Sequence, residues 1–153
     1  SGGGLDIAFL GFGEIDAVGN VNVSKLGGNT VGPGGFIDIA QNARKVVFCG
    51  TFDTGGARTE VGSGVMRVTE HGRISKLVDK VDQITFSGPQ SLLQGQKVIY
   101  ITERVVFELR ENGLHIIEIA PGIDLQTDLL DRMGFVPNMN SPLSEMDSNY
   151  FKK

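Results

Sequence analysis

The sequence contains little cysteine, no tryptophan and no long apolar run. Cys49 is the single cysteine, which excludes an internal disulfide and a cluster of thiolate metal ligands. No stretch approaches the roughly 20 apolar residues of a membrane-spanning helix, and no signal-like segment opens the chain. We therefore expect a cytoplasmic location and no membrane partner.

Concentrated positive charge is also missing. The 14 Lys and Arg residues are outnumbered by 18 Asp and Glu residues, and the formal net charge is −4. The basic residues are scattered, whereas nucleic acid binding depends on clustered cations, so we expect no nucleic acid partner. A composition of 40% hydrophobic and 21% charged residues is that of an ordinary globular chain that can bury a core.

Glycine, in contrast, is abundant, and many of its 22 copies fall in two stretches, 27–35 and 55–64. Such stretches mark backbone that turns sharply or lies close to a ligand. Apolar runs predict the central strands of a sheet near Asp6–Leu10, Val46–Cys49 and Val98–Thr102. Because Cys49 lies in one of these runs, we interpret it as a buried core thiol.

Helical spacing of apolar residues predicts two helices. One covers Phe36–Ala43, and the other begins near Asp124 and has Gly134 just past its end. Since a loop, a helix and a strand follow one another, the sequence predicts an α/β fold with a mixed, largely parallel sheet flanked by helices. Residues 1–137 are expected to form this domain, and the mostly polar residues 138–153 a mobile tail.

Weaker patterns predict the remaining elements. They favour short antiparallel strands across 57–86, a helical turn at PQSLLQG and a hairpin turn at Glu111-Asn112-Gly113. His71 and His115 have no spacing typical of a metal site or a catalytic triad. We therefore expect both histidines to be structural and no metal to be bound.

Three segments together resemble the class I coenzyme A transferases, the succinyl-CoA:3-oxoacid and short-chain acyl-CoA:acetate enzymes. They are GGGLDIAFLGFGEIDAVGNVNVSK, GPGGFIDIAQNARKVVF and VIYITERVVFELRENGLHIIEIAPGID. Their order and spacing are typical of the family, and the spelling is most similar to the single-chain acetate or propionate enzymes. The resemblance extends from Gly2 to Pro137 and implies the coenzyme A transferase fold. It identifies the chain as the C-terminal part of the second half of such an enzyme, truncated at its N-terminus.

The resemblance also implies a reaction. A glutamate of the family attacks an acyl-CoA thioester, passes through an anhydride to a glutamyl-CoA thioester, and then transfers CoA to an acceptor acid. That glutamate precedes the segment matching GGGLD, so it is expected outside this chain, which alone is expected to be inactive. The implied partners are an acyl-CoA, a short-chain carboxylic acid, the missing N-terminal part and further copies in a homo-oligomer. Coenzyme A is then a substrate, and no permanently bound cofactor is implied.

Some members of the family carry the nucleophile in a Glu-Asn-Gly sequence, which Glu111-Asn112-Gly113 also spells. This triplet lies between two strand-like runs, where Asn-Gly is typical of a tight hairpin. We therefore interpret Glu111 as a turn residue and not as the nucleophile.

Gly34, Gly35, Asn20 and Asn22 are the candidates for the substrate or CoA site. The two glycines precede a predicted helix, whose free N–H groups could stabilise an oxyanion, although a simple tight loop would look the same. The carboxamides could donate to a carboxylate or thioester oxygen. Asn22 fits the family pattern better, since Asn20 could equally be the turn residue that follows Gly19.

Glu103 interrupts an apolar strand run, and a buried carboxylate in such a place needs a partner or a site. The resemblance places this residue beside the nucleophile, as a supporting hydrogen-bond acceptor. The alternatives are a strand-end residue that faces solvent, or an ion pair with Arg104 or Lys97.

Lys25, Arg73 and Lys76 could contact the phosphates or the pantetheine of CoA, although solvated surface charge is the simpler interpretation. Two other functions stay open. A sugar-phosphate isomerase or sensor of related fold would need a basic cluster at the glycine loop, where only Lys25 and Arg44 lie near. A non-catalytic interaction domain would have no pocket around the candidate residues.

Overall fold

A computed structural model describes residues 5–23 and 42–151 of the chain. The strands, in chain order, are β1 (Leu5–Gly11), β2 (Glu14–Ile15), β3 (Val21–Asn22), β4 (Ala43–Cys49), β5 (Asp53–Thr54), β6 (Arg58–Gly62), β7 (Val65–Glu70), β8 (Ile74–Ser75), β9 (Lys97–Ile101), β10 (Val105–Arg110), β11 (Gly113–Ile119) and β12 (Asn138–Glu145). Helix α1 covers Gly88–Leu93. No helix in the described ranges is long and apolar enough to cross a membrane.

The main sheet has six strands in the order β1-β4-β9-β10-β11-β12. Strands β1, β4 and β9 run parallel, β9, β10 and β11 are antiparallel neighbours, and β12 runs parallel to β11. The predicted mixed, largely parallel sheet is thus confirmed, and so are its three predicted strands. The first of them is not central, however, because β1 forms one edge of the sheet that the structure describes.

The larger part of the core lies on one face of this sheet and is centred on aromatic rings, and a smaller buried cluster is formed by Val47, Ile99 and Val106. Phe48 of β4 stacks on Tyr100 of β9 at 5.4 Å between centroids and meets Phe86 edge-on at 5.0 Å. Tyr100 is fully buried, and its hydroxyl donates to the Gly19 carbonyl oxygen at 2.7 Å. This hydrogen bond satisfies the one polar group that the ring brings into the core and ties the sheet to the turn that precedes β3.

The smaller elements follow their local sequence signals. Strands β6 and β7 form the predicted antiparallel hairpin, and Ser63 and Gly64 both have positive φ, at 57° and 78°, as a tight two-residue turn requires. Helix α1 lies at the predicted helical turn. The Ser87 side chain caps it by accepting from the Gln90 N–H at 3.2 Å.

The helix predicted near Asp124 is confirmed in position but not in form. It consists of a π-helical turn over Leu125–Leu129 and a 3₁₀ turn over Leu130–Arg132. Asp124 caps the first turn through the Thr127 N–H at 2.8 Å. Gly134 is needed because the chain passes close to Val78 and Asp79, whose backbone atoms a Cβ at this position would meet.

Two sequence-based interpretations need correction. Residues 138–145 do not form a tail separate from the fold, since they form β12 on the main sheet, and Phe151 beyond them is buried. Cys49 is exposed and not a core thiol, because it is the last residue of β4, where alternate residues face opposite sides and its neighbour Phe48 takes the core side. The helix Phe36–Ala43 stays a prediction, because it lies outside the described residues except for Asn42, which is helical, and Ala43, which begins β4.

Candidate functional site

The parallel strands β1, β4 and β9 end side by side and bring three connecting segments together. Phe12 follows β1, Thr51 and Phe52 follow β4, and Thr102 and Glu103 follow β9. In open α/β sheets, ligands bind outside the carboxyl ends of the strands. We call this edge the carboxyl edge, and we expect a ligand to bind there.

Glu103 lies in the turn between β9 and β10, so the prediction that it lies within a strand is wrong. The buried hydroxyl of Thr102 shapes the turn by accepting from the N–H groups of Arg104 and Val105 at 3.1 and 3.0 Å. One carboxylate oxygen of Glu103 accepts from the Phe52 N–H at 2.7 Å, and the other accepts from Arg104 Nε at 3.0 Å. Glu103 is therefore fixed in direction, while 29% of its side chain stays exposed.

Arg104 is the partner that the sequence offered as one alternative, and its burial was not anticipated. Its side chain has no exposed surface. Besides Glu103, it binds Asp53 Oδ1 through Nη2 at 3.1 Å and the Asp128 carbonyl oxygen through Nη1 at 3.1 Å. The guanidinium also lies over the Phe52 ring, at 4.6 Å from its centroid. Arg104 thus joins the turn after β9 to β5 and to the last helical turns.

His71 extends this polar cluster on the side away from Glu103. Its Nδ1 faces Arg104 Nη1 at 3.4 Å, and its Nε2 lies 3.5 Å from Asp128 Oδ1. Burial, followed by the charges of Arg132 and Arg104, lowers the pKa of the imidazole. Since arginine can only donate, this geometry fits a neutral His71 that accepts at Nδ1 and carries its proton on Nε2. The prediction that His71 is structural agrees with this placement.

A pocket of about 380 Å³ opens beside Glu103. Its lining consists of Thr51, Asp53, Thr54, Gly55, Gly56, Ala57, Thr59 and Glu103. Gly55 and Gly56 have φ of 84° and 98°, which only glycine adopts easily, so the second glycine-rich stretch of the sequence shapes this wall. The volume lies in the range of small-molecule sites. Hydroxyls, backbone groups and the two held carboxylates of Asp53 and Glu103 suit a small polar ligand.

Lys76 lies beside the same pocket, and this cation was a weak candidate from sequence. Its ammonium is 4.3 Å from the centroid of the Phe12 ring and 3.5 Å from Thr51 Oγ1. Burial lowers its pKa, against the opposing effect of the Glu103 and Asp53 carboxylates. Lys76 is therefore a half-buried cation at the carboxyl edge and not a solvated surface charge.

Asn22 is fully buried on β3, and its Nδ2 donates to Glu14 Oε1 at 3.1 Å. Its backbone carbonyl accepts from the Gly13 N–H at 3.0 Å, directly after Phe12. The residue thus belongs to the connection that follows β1, on the carboxyl edge, and a role in binding stays a prediction. Gly34, Gly35 and Lys25 lie outside the described residues, so their predicted convergence with Asn22 and Glu103 also stays a prediction.

Asn20 is bound within a turn, as its alternative interpretation predicted. Its N–H and Nδ2 both donate to the Asp16 carboxylate, at 3.0 and 3.3 Å, and its Oδ1 accepts from the Gly88 N–H at 3.0 Å. The side chain therefore joins the turn before β3 to the first residue of α1. These contacts account for Asn20 structurally.

Replacing Asn20 by alanine should consequently affect stability and not ligand binding. The change removes the acceptor of the Gly88 N–H and leaves that group buried without a partner, which costs about 1–3 kcal/mol. Urea unfolding should show this loss, while the affinity for CoA or a short-chain acid, measured by calorimetry below the unfolding transition, should equal that of the parent chain. A weaker affinity at unchanged stability would instead place Asn20 in the binding site.

Glu111 and Asn112 form the turn between β10 and β11, with Arg110 paired to Gly113, so the hairpin interpretation of this triplet is confirmed. Among residues 5–23 and 42–151, no group of three His, Cys, Asp or Glu side chains is placed to hold a metal ion.

Comparison with known proteins gives clear relatives, although no protein-family model matches the chain. It is 49% identical over 150 residues to acetate CoA-transferase YdiF of Escherichia coli O157:H7, and 46% identical over 157 residues to caffeate CoA-transferase of Acetobacterium woodii. These matches take in 98% and 99% of the chain but only 28% and 30% of the two relatives. The chain therefore spans less than a third of the length of these enzymes.

Solved structures agree with the sequence matches. Two crystal structures of the acyl-CoA transferase YdiF from E. coli O157:H7, an apoenzyme and a thioester complex with CoA, superpose with a TM-score of 0.90 and 49% identity. The superposition includes 98% of this chain and 29% of those chains. The resemblance predicted from sequence is thus confirmed, and the chain is similar in sequence and fold to one segment of these coenzyme A transferases.

Proposed function

We propose that the chain is part of an acyl-CoA:carboxylate CoA-transferase and supplies one wall of its active site. The enzyme would move CoA from a short-chain acyl-CoA to acetate or a similar acid through a glutamyl-CoA thioester. The glutamate that forms this thioester would lie outside these 153 residues, in a further part of a longer protein. The near-complete alignment with enzymes more than three times as long supports this view.

The observation that carries the proposal is the fixed Glu103 carboxylate at the mouth of the pocket. It lies at the carboxyl ends of parallel strands, where both of its oxygens are already held by the Phe52 N–H and Arg104. A carboxylate accepts about four hydrogen bonds in all, so lone pairs remain for a reacting group in the pocket. Glu103 would act there as a positioned acceptor beside the nucleophile and not as the nucleophile itself.

The proposed CoA transfer requires active-site groups that stay in a fixed position, as Glu103 does. In each half-reaction, a carboxylate attacks a thioester carbonyl carbon and displaces the CoA thiolate, which must stay aligned to attack the resulting anhydride and release a carboxylate. Rigidly held groups provide this alignment and do not need to reorganise during the reaction. The Arg104 hydrogen bonds and the buried Thr102 turn hold Glu103 in this way.

An exchange assay tests the proposal. The 153-residue chain, given acetyl-CoA and a second carboxylic acid, should give no exchange above background, because its carboxylates are not the nucleophile. The longer protein that contains it should give exchange, and borohydride should reduce a glutamyl thioester outside residues 1–153. Tandem mass spectrometry would locate the reduced residue.

Two results would contradict the proposal. A covalent CoA adduct on a glutamate of this chain, for example Glu111, would show that the nucleophile is misplaced. A longer protein that performs no CoA exchange, but is stabilised against heat by a sugar phosphate and not by CoA, would favour the sugar-phosphate alternative.

A further inference from the structure

Three cations lie around this pocket among the described residues, and they differ in what they can still bind. Arg73 is exposed and comes near Gly56, whereas Arg104 and Lys76 lie at the carboxyl edge. Arg104 is wholly buried, and each of its nitrogens already has a partner in Glu103, Asp53 or the Asp128 carbonyl. Lys76 is half-buried, and its one hydrogen bond among the described residues goes to the neutral Thr51 hydroxyl at 3.5 Å. An ammonium carries three N–H donors, so Lys76 has capacity to spare.

The main chain holds Lys76 in place. Its carbonyl oxygen accepts from the Ile15 N–H at 2.8 Å, and the N–H of Val78 donates back to the Ile15 carbonyl at 2.9 Å. From this fixed backbone the side chain crosses the Phe12 ring towards Thr51, which lines the pocket. Ring and hydroxyl together place the ammonium against Thr51, at one wall of the pocket.

The charges at this edge explain why an anion would need Lys76. Glu103 and Asp53 carry two negative charges, and Arg104 neutralises only one of them through its two ion pairs. Lys76 brings the sum of these four groups to zero. Without it, these groups would carry a net negative charge, which the exposed Arg73 beside Gly56 would offset only weakly through water, and they would repel an incoming carboxylate.

We propose that Lys76 receives the carboxylate of the acid substrate in this pocket. The proposal rests on the proposed CoA transfer and names a residue that binds one of its substrates. Thr51 holds the ammonium beside the pocket. Glu103 and Asp53 are already paired with Arg104, so they leave the Lys76 ammonium available to a ligand. A carboxylate bound there takes the place of the water that half-burial has removed from the ammonium. Lys76 thereby holds the acid beside Glu103.

Binding to the chain itself tests this inference without any turnover. Sodium acetate is titrated at constant ionic strength, and the side-chain Cε resonance of Lys76 is followed by NMR, with chloride as the reference salt. We expect a saturable shift and a rise in the Lys76 pKa, because a bound anion favours the charged ammonium. Lys76→Met should weaken acetate binding by about ten-fold or more, as expected for a hydrogen bond to a charged group.

Lys80→Met is the matched control, because Lys80 is an exposed lysine four residues along the chain, and it should bind acetate like the parent. Thr51→Val is a second variant that keeps the lysine but removes its hydroxyl partner, and it should weaken binding to a smaller extent. Acetate affinity that is equal in Lys76→Met and Lys80→Met, with both chains folded, would overturn the inference.

The longer protein separates this inference from the proposed function. There, Lys76→Met should raise KM for the acid much more than KM for the acyl-CoA. An increase confined to KM for the acyl-CoA would assign Lys76 to a CoA phosphate and overturn the inference. Saturable acetate binding by a protein that transfers no CoA would leave the inference standing and reject the proposed function.

Discussion

Replacing Arg104 by methionine should lower the free energy of unfolding by about 3–5 kcal/mol, the usual cost of removing one partner from a buried ion pair. Methionine has a similar length, so the expected loss comes from charge and not from a cavity. Asp53, which is 5% exposed, would keep one hydrogen bond from the Gly72 N–H but lose its counter-ion. Glu103 would lose the hydrogen bond that fixes one of its oxygens.

Two further variants make this measurement specific. Arg104→Lys keeps the charge but cannot reach Asp53, Glu103 and the Asp128 carbonyl at once, so it should remain clearly less stable than the parent. Arg58→Ala removes a solvent-exposed ion pair with Glu70 and should change stability by less than about 1 kcal/mol. If Arg104→Met and Arg58→Ala unfold at the same urea concentration, the buried cluster does not stabilise the fold as described.

The strands of the main sheet were predictable because their signal is local. Val46–Cys49 and Val98–Thr102 are apolar runs bounded by polar or turn residues, and β4 and β9 lie where the runs lie. The last strand carried no such signal. β12 contains Asn138, Ser141 and Pro142, and it forms because β11 offers a free edge to a segment that comes from elsewhere in the chain. Pairing of that kind depends on the tertiary fold and not on composition.

The candidate site was predictable only where a residue broke a local pattern. Glu103 is a charged residue in an apolar run, where a buried carboxylate needs a partner, and the neighbouring Arg104 was one candidate. Asp53 and His71 gave no comparable signal, because they are 51 and 33 residues from Arg104 in sequence. Asp53 begins β5, four residues after the end of β4 and next to the buried Phe52, and no local pattern marks this position.

A substitution at Gly72 should have the next largest effect, with Gly62 as its matched control. Gly72→Ala should lower the free energy of unfolding by about 2–3 kcal/mol, as overpacking of a closed site does. A Cβ at Gly72 would collide with the Thr54 carbonyl oxygen and come within 2.9 Å of Asp53 Cγ and the Thr54 nitrogen. A Cβ at Gly62 would meet nothing within 4 Å, so Gly62→Ala should stay within about 0.5 kcal/mol of the parent.

The collision at Gly72 has no easy relief, because its neighbours are held from several sides. Thr54 pairs with Ile74 between β5 and β8, and Asp53 is bound both to Arg104 and to the Gly72 N–H, at 3.1 and 2.9 Å. A shift that frees the new methyl group must stretch one of these contacts and move the Thr54–Gly55 wall of the pocket. Gly72→Ala should therefore also weaken acetate binding, measured by the same NMR titration at a temperature where the chain is folded. Equal stability and equal acetate affinity in the two alanine variants would show that the paired strands β5 and β8 do not form a rigid wall of this pocket.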